Sequence, residues 1–440
     1  MDRNYKKKLI MIAFPIMISN MIGQIQMLID KMFLGRLDII YMSAVGNATS
    51  PMWTTMDIVF TLTGGATILI SQAIGKGDKK RGYELTCAMF KYSSIISIIL
   101  FAFWMIFARL VFTLMGVSDD IIEYAIMYAT IYAPVFLTTG IGASVSSMLQ
   151  NSERTGILVV YGVLRSGLNV LLDWEMIFGH LGFEPMGIKG AALATTIAEF
   201  VGEGVVLILV LADKNIRLKP AIRDILVARF VPYIETVKMG IPSALEGFAW
   251  NIGNLMLIVL LNHVSPVAAG IYTLIFSVEC LPVAAIASLG NATLTLCGQE
   301  TGKKEYAMIK RIARTAAGWS VLLSLVILVC FILFPQTIMG WFTTDASVIL
   351  GASVYLAIVG SDLFPKSGNI IIGSAIRGFG DTKWMLGTQI FGTFFVISLA
   401  SIIVYIFNGG MTQLFCVVVA DETIRCIINY YKLRKISNIQ

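Results

Sequence analysis

Long apolar stretches, separated by short polar turns and clusters of charge, run through the whole chain. A helix needs about 20 apolar residues to cross the hydrocarbon core of a bilayer, and the stretches are about that long or longer. The pattern predicts twelve membrane-spanning helices at 9–35, 41–74, 83–114, 121–150, 157–178, 188–212, 237–261, 267–298, 308–334, 346–375, 384–407 and 411–431. We therefore predict an all-α integral membrane protein with twelve transmembrane helices.

Composition indicates that lipid is the main solvent of this chain. Of the 440 residues, 57% are hydrophobic and only 14% are charged, and the mean hydropathy is +0.80. Soluble domains carry about 25% charged residues. A soluble fold of this composition would leave much apolar surface in water, so we expect the lipid bilayer to be a partner.

Basic residues cluster in alternate loops between the predicted spans. The most basic of these segments are 76–81, 214–229, 303–311 and 432–435. The loops between them hold Asp119, Asp120 and Asp345, with Arg36 as the clearest basic exception. Loops rich in Lys and Arg stay in the cytoplasm, so we predict that both termini are cytoplasmic. The net charge of +6 then reflects orientation in the membrane, and we expect no nucleic-acid partner.

An internal duplication divides the chain into two halves. A shift of 227 residues places Pro15 on Pro242 and Tyr128 on Tyr355. Each half holds six predicted spans, an even number, so both halves enter the membrane from the same side and form a parallel repeat. We predict two pseudo-symmetric six-helix lobes. Their ranges are 1–212 for the N-terminal lobe, 213–236 for a cytoplasmic linker and 237–440 for the C-terminal lobe.

Four polar residues in the first lobe form the strongest candidate site. An ionisable side chain at the centre of a membrane helix costs about 2.5–3.5 kcal/mol, so one that is present there is a functional candidate. Asn169 and Asp173 lie four residues apart and share one face of the fifth span. Asp30, Asp173 and Thr195 all lie roughly 10 Å inside the outer surface at 1.5 Å per residue. We predict that these four residues form an ion-coupling site.

Two coupling ions fit this candidate site. Carboxylate, amide and hydroxyl oxygens suit Na⁺, a hard cation that prefers oxygen ligands. Two close carboxylates also suit H⁺, because their mutual repulsion favours protonation of one of them. At the repeat offset the positions of Asp30, Asn169 and Asp173 correspond to Leu257, Val396 and Ala400. The polar cluster is therefore expected in one lobe only. Either Na⁺ or H⁺ can be its coupling ion.

A second set of polar or aromatic residues is predicted to line a substrate cavity. These candidates are Gln26, Glu246, Trp250, Glu279 and Lys366. Lys366 is the one clear buried cation. Glu246 and Glu279 are expected either to attract a cationic substrate or to pair with Lys366. A further group is expected near the inner helix ends, in contact with water: Glu199, Glu203 and Glu422.

Several chemistries are disfavoured by what the sequence lacks. The stretch nearest to a nucleotide-binding loop, 298–304, does not have the G-x-x-x-x-G-K-[ST] spacing. The six cysteines form no C-x-x-C pair, and there are only two histidines, so neither a structural zinc site nor a disulfide framework is expected. We find no nucleophile–base constellation. We therefore expect neither an ATP-driven pump nor an enzyme, and no cofactor.

Short motifs in both halves resemble the multidrug and toxic compound extrusion (MATE) family. In the first half these are Pro15 with Asp30 fifteen residues on, Gly35-Arg36-Leu37, QAIGKGD at 72–78, LNVLLD at 168–173 and GIKGAALAT at 187–195. In the second half they are GQ at 298–299 and RGFGDT at 377–382. Together they cover nearly the whole chain in the family's order. The resemblance implies cation-coupled export of drugs and metabolites by alternating access, with the coupling role at Asp30, Asn169, Asp173 and Thr195.

The acidic cluster of the first lobe is similar to the prokaryotic DinF-like branch of that family. Other branches carry a glutamate eight residues after the seventh-helix proline, where this chain has Trp250. They also carry an aspartate eleven residues before the Arg-Gly motif, where this chain has Lys366. An ion site in the second lobe is therefore not expected.

The combined expectation is a secondary multidrug exporter that antiports organic, often cationic, small molecules against Na⁺ or H⁺. We expect a monomer in the cytoplasmic membrane of a bacterial cell. The nearest alternative is a lipid-linked oligosaccharide flippase of the same superfamily, which should need a strongly cationic cavity. A more distant alternative is an integral membrane enzyme.

Overall fold

The protein is helical throughout the described part of the chain. The structure is a computed structural model and describes residues 2–35, 39–180, 182, 184–341 and 346–439, among which there is no β-strand. In chain order the helices are α1 (Asp2–Gly35), α2 (Ile39–Lys76), α3 (Lys79–Leu114), α4 (Asp119–Tyr132), α5 (Phe136–Asn151), α6 (Gly156–Phe178), α7 (Ile188–Ala212), α8 (Ile222–Val227), α9 (Phe230–Val264), α10 (Pro266–Gly302), α11 (Tyr306–Leu333), α12 (Pro335–Gly340), α13 (Ala346–Phe379), α14 (Thr382–Tyr405) and α15 (Met411–Ile436). A short 3₁₀ turn, Ala133–Val135, joins α4 to α5.

Eleven helical segments of the described residues are long and apolar enough to cross a membrane. One of them, Asp119–Asn151, combines α4, the 3₁₀ turn and α5. The last predicted span corresponds to α15, whose 26 residues measure about 39 Å. Asp421, Glu422 and Arg425 near its middle lower its hydropathy. The predicted all-α membrane class is confirmed.

The internal repeat is visible in the helix boundaries. Helices α2 and α10 begin at Ile39 and Pro266, and α3 and α11 begin at Lys79 and Tyr306. Both pairs of starting points lie 227 residues apart, the offset found in the sequence. Since equivalent helices begin at equivalent positions, the two halves repeat the same order of spans, as predicted.

The chain divides into two compact units. The first, called here the N-terminal unit, comprises Phe14–Ile70 and Asp78–Gly240. The second, called here the C-terminal unit, comprises Met1–Ala13, Ser71–Gly77 and Ile241–Gln440. Each unit has its own apolar core. Buried core residues include Met52, Trp104, Phe112 and Phe136 in the N-terminal unit, and Leu260, Met339, Leu356 and Ala400 in the C-terminal unit.

Glycines let the helices of the N-terminal unit pack closely around α6. A Cβ at Gly190 of α7 would lie 2.6 Å from the backbone oxygen of Met176 in α6. A Cβ at Gly162 of α6 would lie 2.7 Å from the Ser19 hydroxyl of α1. Small residues at such crossings are typical of membrane bundles. They hold α1, α6 and α7 close enough for their polar side chains to meet.

The connection between the repeats is partly helical. It contains α8, and α9 begins at Phe230, before the predicted start of the seventh span. The Tyr83 hydroxyl donates to the Asp224 carboxylate of α8 at 2.6 Å, and the Lys91 ammonium donates to the backbone oxygen of Leu226 at 2.8 Å. These bonds fasten the connection to α3. Of the predicted outer-loop residues, Asp119 and Asp120 open α4, whereas Arg36 and Asp345 lie outside the described residues.

Candidate functional site

Two acidic side chains meet inside the N-terminal unit. Asp30 comes from α1 and Asp173 from α6, and their carboxyl groups lie within hydrogen-bonding range of each other. Asp173 is only 1% exposed, and Asp30 is half-buried. Two carboxyl groups this close repel each other when both are ionised. The pair is therefore suited to holding a proton or another cation.

An amide and hydroxyl network surrounds this carboxylate pair. The Gln26 amide donates to Asp30 at 3.1 Å and to the Asn169 side-chain oxygen at 2.5 Å. The Asn169 amide in turn donates to the Thr195 hydroxyl at 3.3 Å. The structure thus brings together all four predicted coupling residues. It also places Gln26, predicted as a cavity residue, inside the same network.

Each carboxylate of the pair keeps one oxygen without a hydrogen-bond donor. The Oδ1 atoms of Asp30 and Asp173 are both shut off from solvent, and no donor of the described residues reaches either of them. A buried polar atom left without a partner costs free energy, and a buried charge costs more. The cluster therefore has acceptor capacity that a bound cation or proton can satisfy.

A buried ion pair lies beside this network. The Arg165 guanidinium of α6 contacts the Glu199 carboxylate of α7 at 2.5 Å, and the Tyr161 hydroxyl donates to Glu199 at 2.7 Å. Ser166 connects this pair to the coupling residues because its hydroxyl donates to the Gln26 side-chain oxygen at 3.1 Å. The Arg165 guanidinium itself donates to the Ser166 hydroxyl at 3.5 Å. A fixed positive charge is thus connected to the Asp30 network through hydrogen bonds.

The ion pair corrects two sequence expectations. Glu199 was expected in water, but its side chain is only 12% exposed because it pairs with Arg165. Lys366 was expected to be the one clear buried cation, yet Arg165 is 17% exposed along its side chain and Arg425 is 6% exposed. Arg165 precedes Asn169 by four residues, and Glu199 follows Thr195 by four. That shared helical spacing is the signal that could have revealed the pair.

The C-terminal unit holds a second charged group, called here the C-terminal ion cluster. Its members are Glu279 of α10, Asp362 and Lys366 of α13, and Asp421, Glu422 and Arg425 of α15. The Lys366 ammonium pairs with Glu279 and contacts Asp362 at 2.8 Å. The Arg425 guanidinium contacts Asp421 at 2.9 Å and Glu422 at 2.8 Å. Each cation therefore lies between two carboxylates.

This cluster is not the repeat-related counterpart of the Asp30 network. The repeat-related positions Leu257, Val396 and Ala400 are indeed buried and apolar. The cluster arises instead from other positions on α10, α13 and α15. Glu422, expected in water, is 6% exposed because Arg425 and Asn369 both contact it. Symmetry of the backbone therefore does not predict where the charges lie.

The predicted cavity candidates lie in different surroundings. Glu279, Lys366 and Trp250 line one cavity of the C-terminal unit, whose empty space is about 700 Å³ when the open solvent at its mouth is included. Glu246 pairs with Arg377 at 2.5 Å, so the partner of Lys366 is Glu279 and not Glu246.

Among the residues that the structure describes, no group of three or more His, Cys, Asp or Glu side chains is arranged to hold a metal ion.

Comparison with known proteins gives one family match. A family model described as MatE matches residues 15–174 and 242–402. The matched segments start at Pro15 and Pro242, the residues that align at the repeat offset. A curated relative from Thermotoga maritima, described as a probable multidrug resistance protein NorM, is 27% identical over 379 residues, covering 86% of this chain and 81% of the relative. An uncharacterized transporter of Bacillus subtilis, YisQ, is 23% identical and covers 92% of this chain and 90% of its own length.

Solved structures share the fold. An outward-facing multidrug resistance MATE family transporter of the MOP superfamily aligns with a TM-score of 0.88 at 20% identity, covering 98% of this chain and 96% of that one. A MOP superfamily transporter from Pyrococcus furiosus, described as having a binding pocket of reverse polarity that suggests a different function, aligns equally well at 21% identity and the same coverage. At these identities the likeness concerns the fold alone.

Proposed function

The chain belongs to the MATE family of membrane transporters, and we propose that it is a secondary exporter of organic, often cationic, small molecules driven by antiport of Na⁺ or H⁺. Relatives described as probable multidrug resistance proteins support the drug-like substrate class. We further propose that it works as a monomer in the cytoplasmic membrane of a bacterium, with both termini in the cytoplasm. The basic inner loops support that orientation.

The observation that carries the proposal is the Asp30–Asp173 pair with its two unpartnered oxygens. Two negative charges in a largely buried site are expensive, and a cation arriving from outside removes part of that cost. The neutralised site can then be enclosed when the N-terminal unit changes conformation. A ligand shifts a conformational equilibrium only through its different affinities for the two states. The carboxylate pair supplies that difference.

Both coupling ions are compatible with the polar groups that surround the pair. For Na⁺, the two carboxylates can be joined by the neutral oxygens of Asn169 and Thr195, which already belong to the network. For H⁺, one proton shared between Asp30 and Asp173 satisfies their contact without any further ligand. One transport experiment can therefore test Na⁺ and H⁺ separately.

The test is transport by purified protein in proteoliposomes that contain a lipophilic organic cation such as tetraphenylphosphonium. Imposed Na⁺ and pH gradients are applied one at a time. We expect at least one gradient to drive movement of the organic cation in the wild type, and an ionophore for that ion to abolish it. Asp30→Asn and Asp173→Asn should each lose gradient-driven movement, because an amide cannot supply the negative charge or release the coupling proton.

The matched control is Asp119→Asn, which removes an exposed carboxylate at the start of α4. It should transport like the wild type. Equal expression and equal size-exclusion profiles would show that the Asp30 and Asp173 variants are folded. Transport that ignores both gradients, or full coupling in both variants, would refute the proposal.

The lipid-linked oligosaccharide flippase is the second candidate, and one observation favours it: the described residues include the largely buried cations Arg165, Lys366 and Arg425. A pyrophosphate headgroup needs positive charge that is free to bind it. Each of these cations is instead already paired with a carboxylate, and Lys366 and Arg425 each contact two. The balance of charge therefore supports a cation exporter over a flippase. In the part of the chain that the structure describes, we find no arrangement of side chains that favours the third candidate, an integral membrane enzyme.

A further inference from the structure

We propose that the organic cation binds inside the C-terminal unit, in the cavity that the C-terminal ion cluster lines. We propose also that the ammonium of Lys366 competes with it for the same carboxylates. This inference deepens the proposed function, on which it rests for the substrate class. It places substrate binding at side chains that differ from the Asp30–Asp173 coupling pair.

The charge of the cavity favours a positively charged ligand. Four carboxylates and two cations of the C-terminal ion cluster line it, which leaves two negative charges in excess when all six groups are ionised. The Oδ1 atoms of Asp362 and Asp421 are shut off from solvent and receive no hydrogen bond from the described residues. These two residues are 3% and 5% exposed. Two buried acceptors without donors in an acidic cavity favour a cation and disfavour an anion.

The walls of the cavity favour an aromatic or apolar body on that ligand. Trp250, Tyr272, Phe276 and Phe415 form a continuous aromatic wall, with ring centroids 5.8 to 6.4 Å apart from one neighbour to the next. Aromatic faces attract organic cations, and the attraction grows when the cation is desolvated. The cavity therefore fits a bulky organic cation better than a bare metal ion.

In the absence of a ligand, the ammonium of Lys366 occupies the position proposed for the ligand cation. Its ammonium bridges Glu279 and Asp362 from the cavity lining, on the same carboxylates that a ligand cation approaches. A lysine on a flexible stem can leave such a position, since its charge is a compact point and not a planar fork. Binding of the organic cation then exchanges one positive charge for another, so the carboxylates are not left unpaired before or after binding.

Equilibrium binding of tetraphenylphosphonium to the purified full-length protein tests this site without any ion gradient. Tetraphenylborate has the same shape and the opposite charge, so it is the control ligand. We expect tetraphenylphosphonium to bind and tetraphenylborate not to compete. Asp362→Asn and Asp421→Asn should each weaken tetraphenylphosphonium binding by about tenfold or more, because each removes a negative charge that lines the cavity. Asp119→Asn, which removes an exposed carboxylate of the N-terminal unit, should leave this affinity unchanged.

Lys366→Gln distinguishes competition from a folding defect, because the proposal predicts tighter binding, by about tenfold, when the competing ammonium is removed. Lys383→Gln, which removes an exposed lysine of α14, should leave the affinity for tetraphenylphosphonium unchanged.

Gly253→Leu is a second test that changes no charge. A Cβ at this position meets only Thr393, at 3.5 Å, so the longer side chain should fill the cavity and abolish binding. Equal binding of both tetraphenyl ions, unchanged affinity in Asp362→Asn and Asp421→Asn, or weaker binding in Lys366→Gln would overturn the proposal.

The outcome also separates this inference from the proposed function. If Asp362→Asn binds tetraphenylphosphonium normally while Asp30→Asn loses coupled transport, the exporter assignment stands and the location of the substrate is wrong. If Asp362→Asn loses binding while transport by the wild type ignores both ion gradients, the cavity assignment stands and ion coupling is wrong.

Discussion

At the residue scale, the two units differ in how their buried charges are balanced. In the N-terminal unit no cation of the described residues contacts the Asp30–Asp173 pair directly, and Arg165 is engaged by Glu199. In the C-terminal unit every cation of the ion cluster contacts two carboxylates. The first arrangement requires a cation from outside to become neutral. The second supplies its own cations and retains an excess of negative charge.

The grouping of Asp30, Asp173 and their polar neighbours could be predicted because an acid inside a membrane helix is rare, and helical depth and spacing place several such residues together. The i,i+4 pairs Asp362–Lys366 and Asp421–Arg425 are also visible in the sequence, and both form. The contact of Lys366 with Glu279 and of Arg165 with Glu199 could not be predicted with the same certainty. Each depends on the rotation of two separate helices, which hydropathy does not determine.

Arg165 and Glu199 should stabilise the N-terminal unit only as a pair. Arg165→Gln leaves a buried carboxylate without its counter-charge, and we expect a loss of about 3–5 kcal/mol in the free energy of unfolding. The double variant Arg165→Gln/Glu199→Gln should recover much of that loss, since neither charge remains. Unfolding of the detergent-purified protein, followed for both single variants and the double variant, measures the interaction. Additive effects of the two single substitutions would show that the pair contributes nothing.

At the element scale, close approach of α6 to α7 positions the coupling residues. Asn169 and Asp173 lie on α6 and Thr195 on α7, and the Asn169–Thr195 hydrogen bond joins the two helices at 3.3 Å. Gly190 permits this approach because its missing Cβ leaves room for the Met176 backbone oxygen. A wider separation of α6 and α7 would weaken both this hydrogen bond and the Arg165–Glu199 contact, which joins the same two helices.

Gly190→Ala should therefore impair both stability and coupling. Its Cβ would lie 2.6 Å from a backbone atom, and we expect a loss of about 1–3 kcal/mol in stability from overpacking. Gly204→Ala in the same helix is the matched control, since nothing lies within 4 Å of a Cβ at that position. It should be neutral or more stable by up to about 1 kcal/mol through helix propensity. Thermal unfolding of the two variants compares them, and equal stability would contradict this packing.

Helix order was predictable from hydropathy, and helix ends were not. The apolar pattern indicates where lipid surrounds a helix, but α2 continues to Lys76 and α9 begins at Phe230, beyond the apolar stretches. A helix continues into polar surroundings wherever backbone hydrogen bonding and helix propensity allow it. The six-residue α8 is too short to produce a periodic signal. The mid-helix charges of α15 weaken its apolar pattern because they pair inside the protein and do not face lipid.

At the scale of the whole molecule, the repeat sets a common framework on which the two units carry different chemistry. Equivalent helices begin at equivalent positions, yet the acids of α1 and α6 have apolar counterparts in the C-terminal unit. Such a division suits an antiporter, since one unit can respond to the ion while the other holds the substrate. Linkage then makes the two ligands affect each other's affinity without sharing a site.

The orientation of the whole chain is tested by labelling single cysteines in a cysteine-free background. A membrane-impermeant maleimide added outside intact cells should modify a cysteine at Asp119, because the basic loops place that position outside. It should not modify a cysteine at Lys79 or Lys303, which are exposed positions of predicted cytoplasmic loops. Labelling of all three after the cells are permeabilised shows that each position is accessible. The reverse pattern would mean that the termini lie outside.

The most direct test of the central claim, that the Asp30–Asp173 pair links ion and substrate, is the effect of Na⁺ and of pH on equilibrium tetraphenylphosphonium binding. In the wild type, raising Na⁺ or lowering pH should weaken binding, because occupation of the pair favours the state with lower substrate affinity. Asp30→Asn should lose the Na⁺ dependence and the part of the pH dependence that comes from the pair, leaving only the part from the cavity carboxylates. Asp362→Asn should bind weakly and keep the dependence that comes from the pair. Wild-type affinity that is insensitive to both ions would contradict the account. So would a dependence that survives in full in Asp30→Asn and disappears in Asp362→Asn, since the coupling group would then lie in the C-terminal unit.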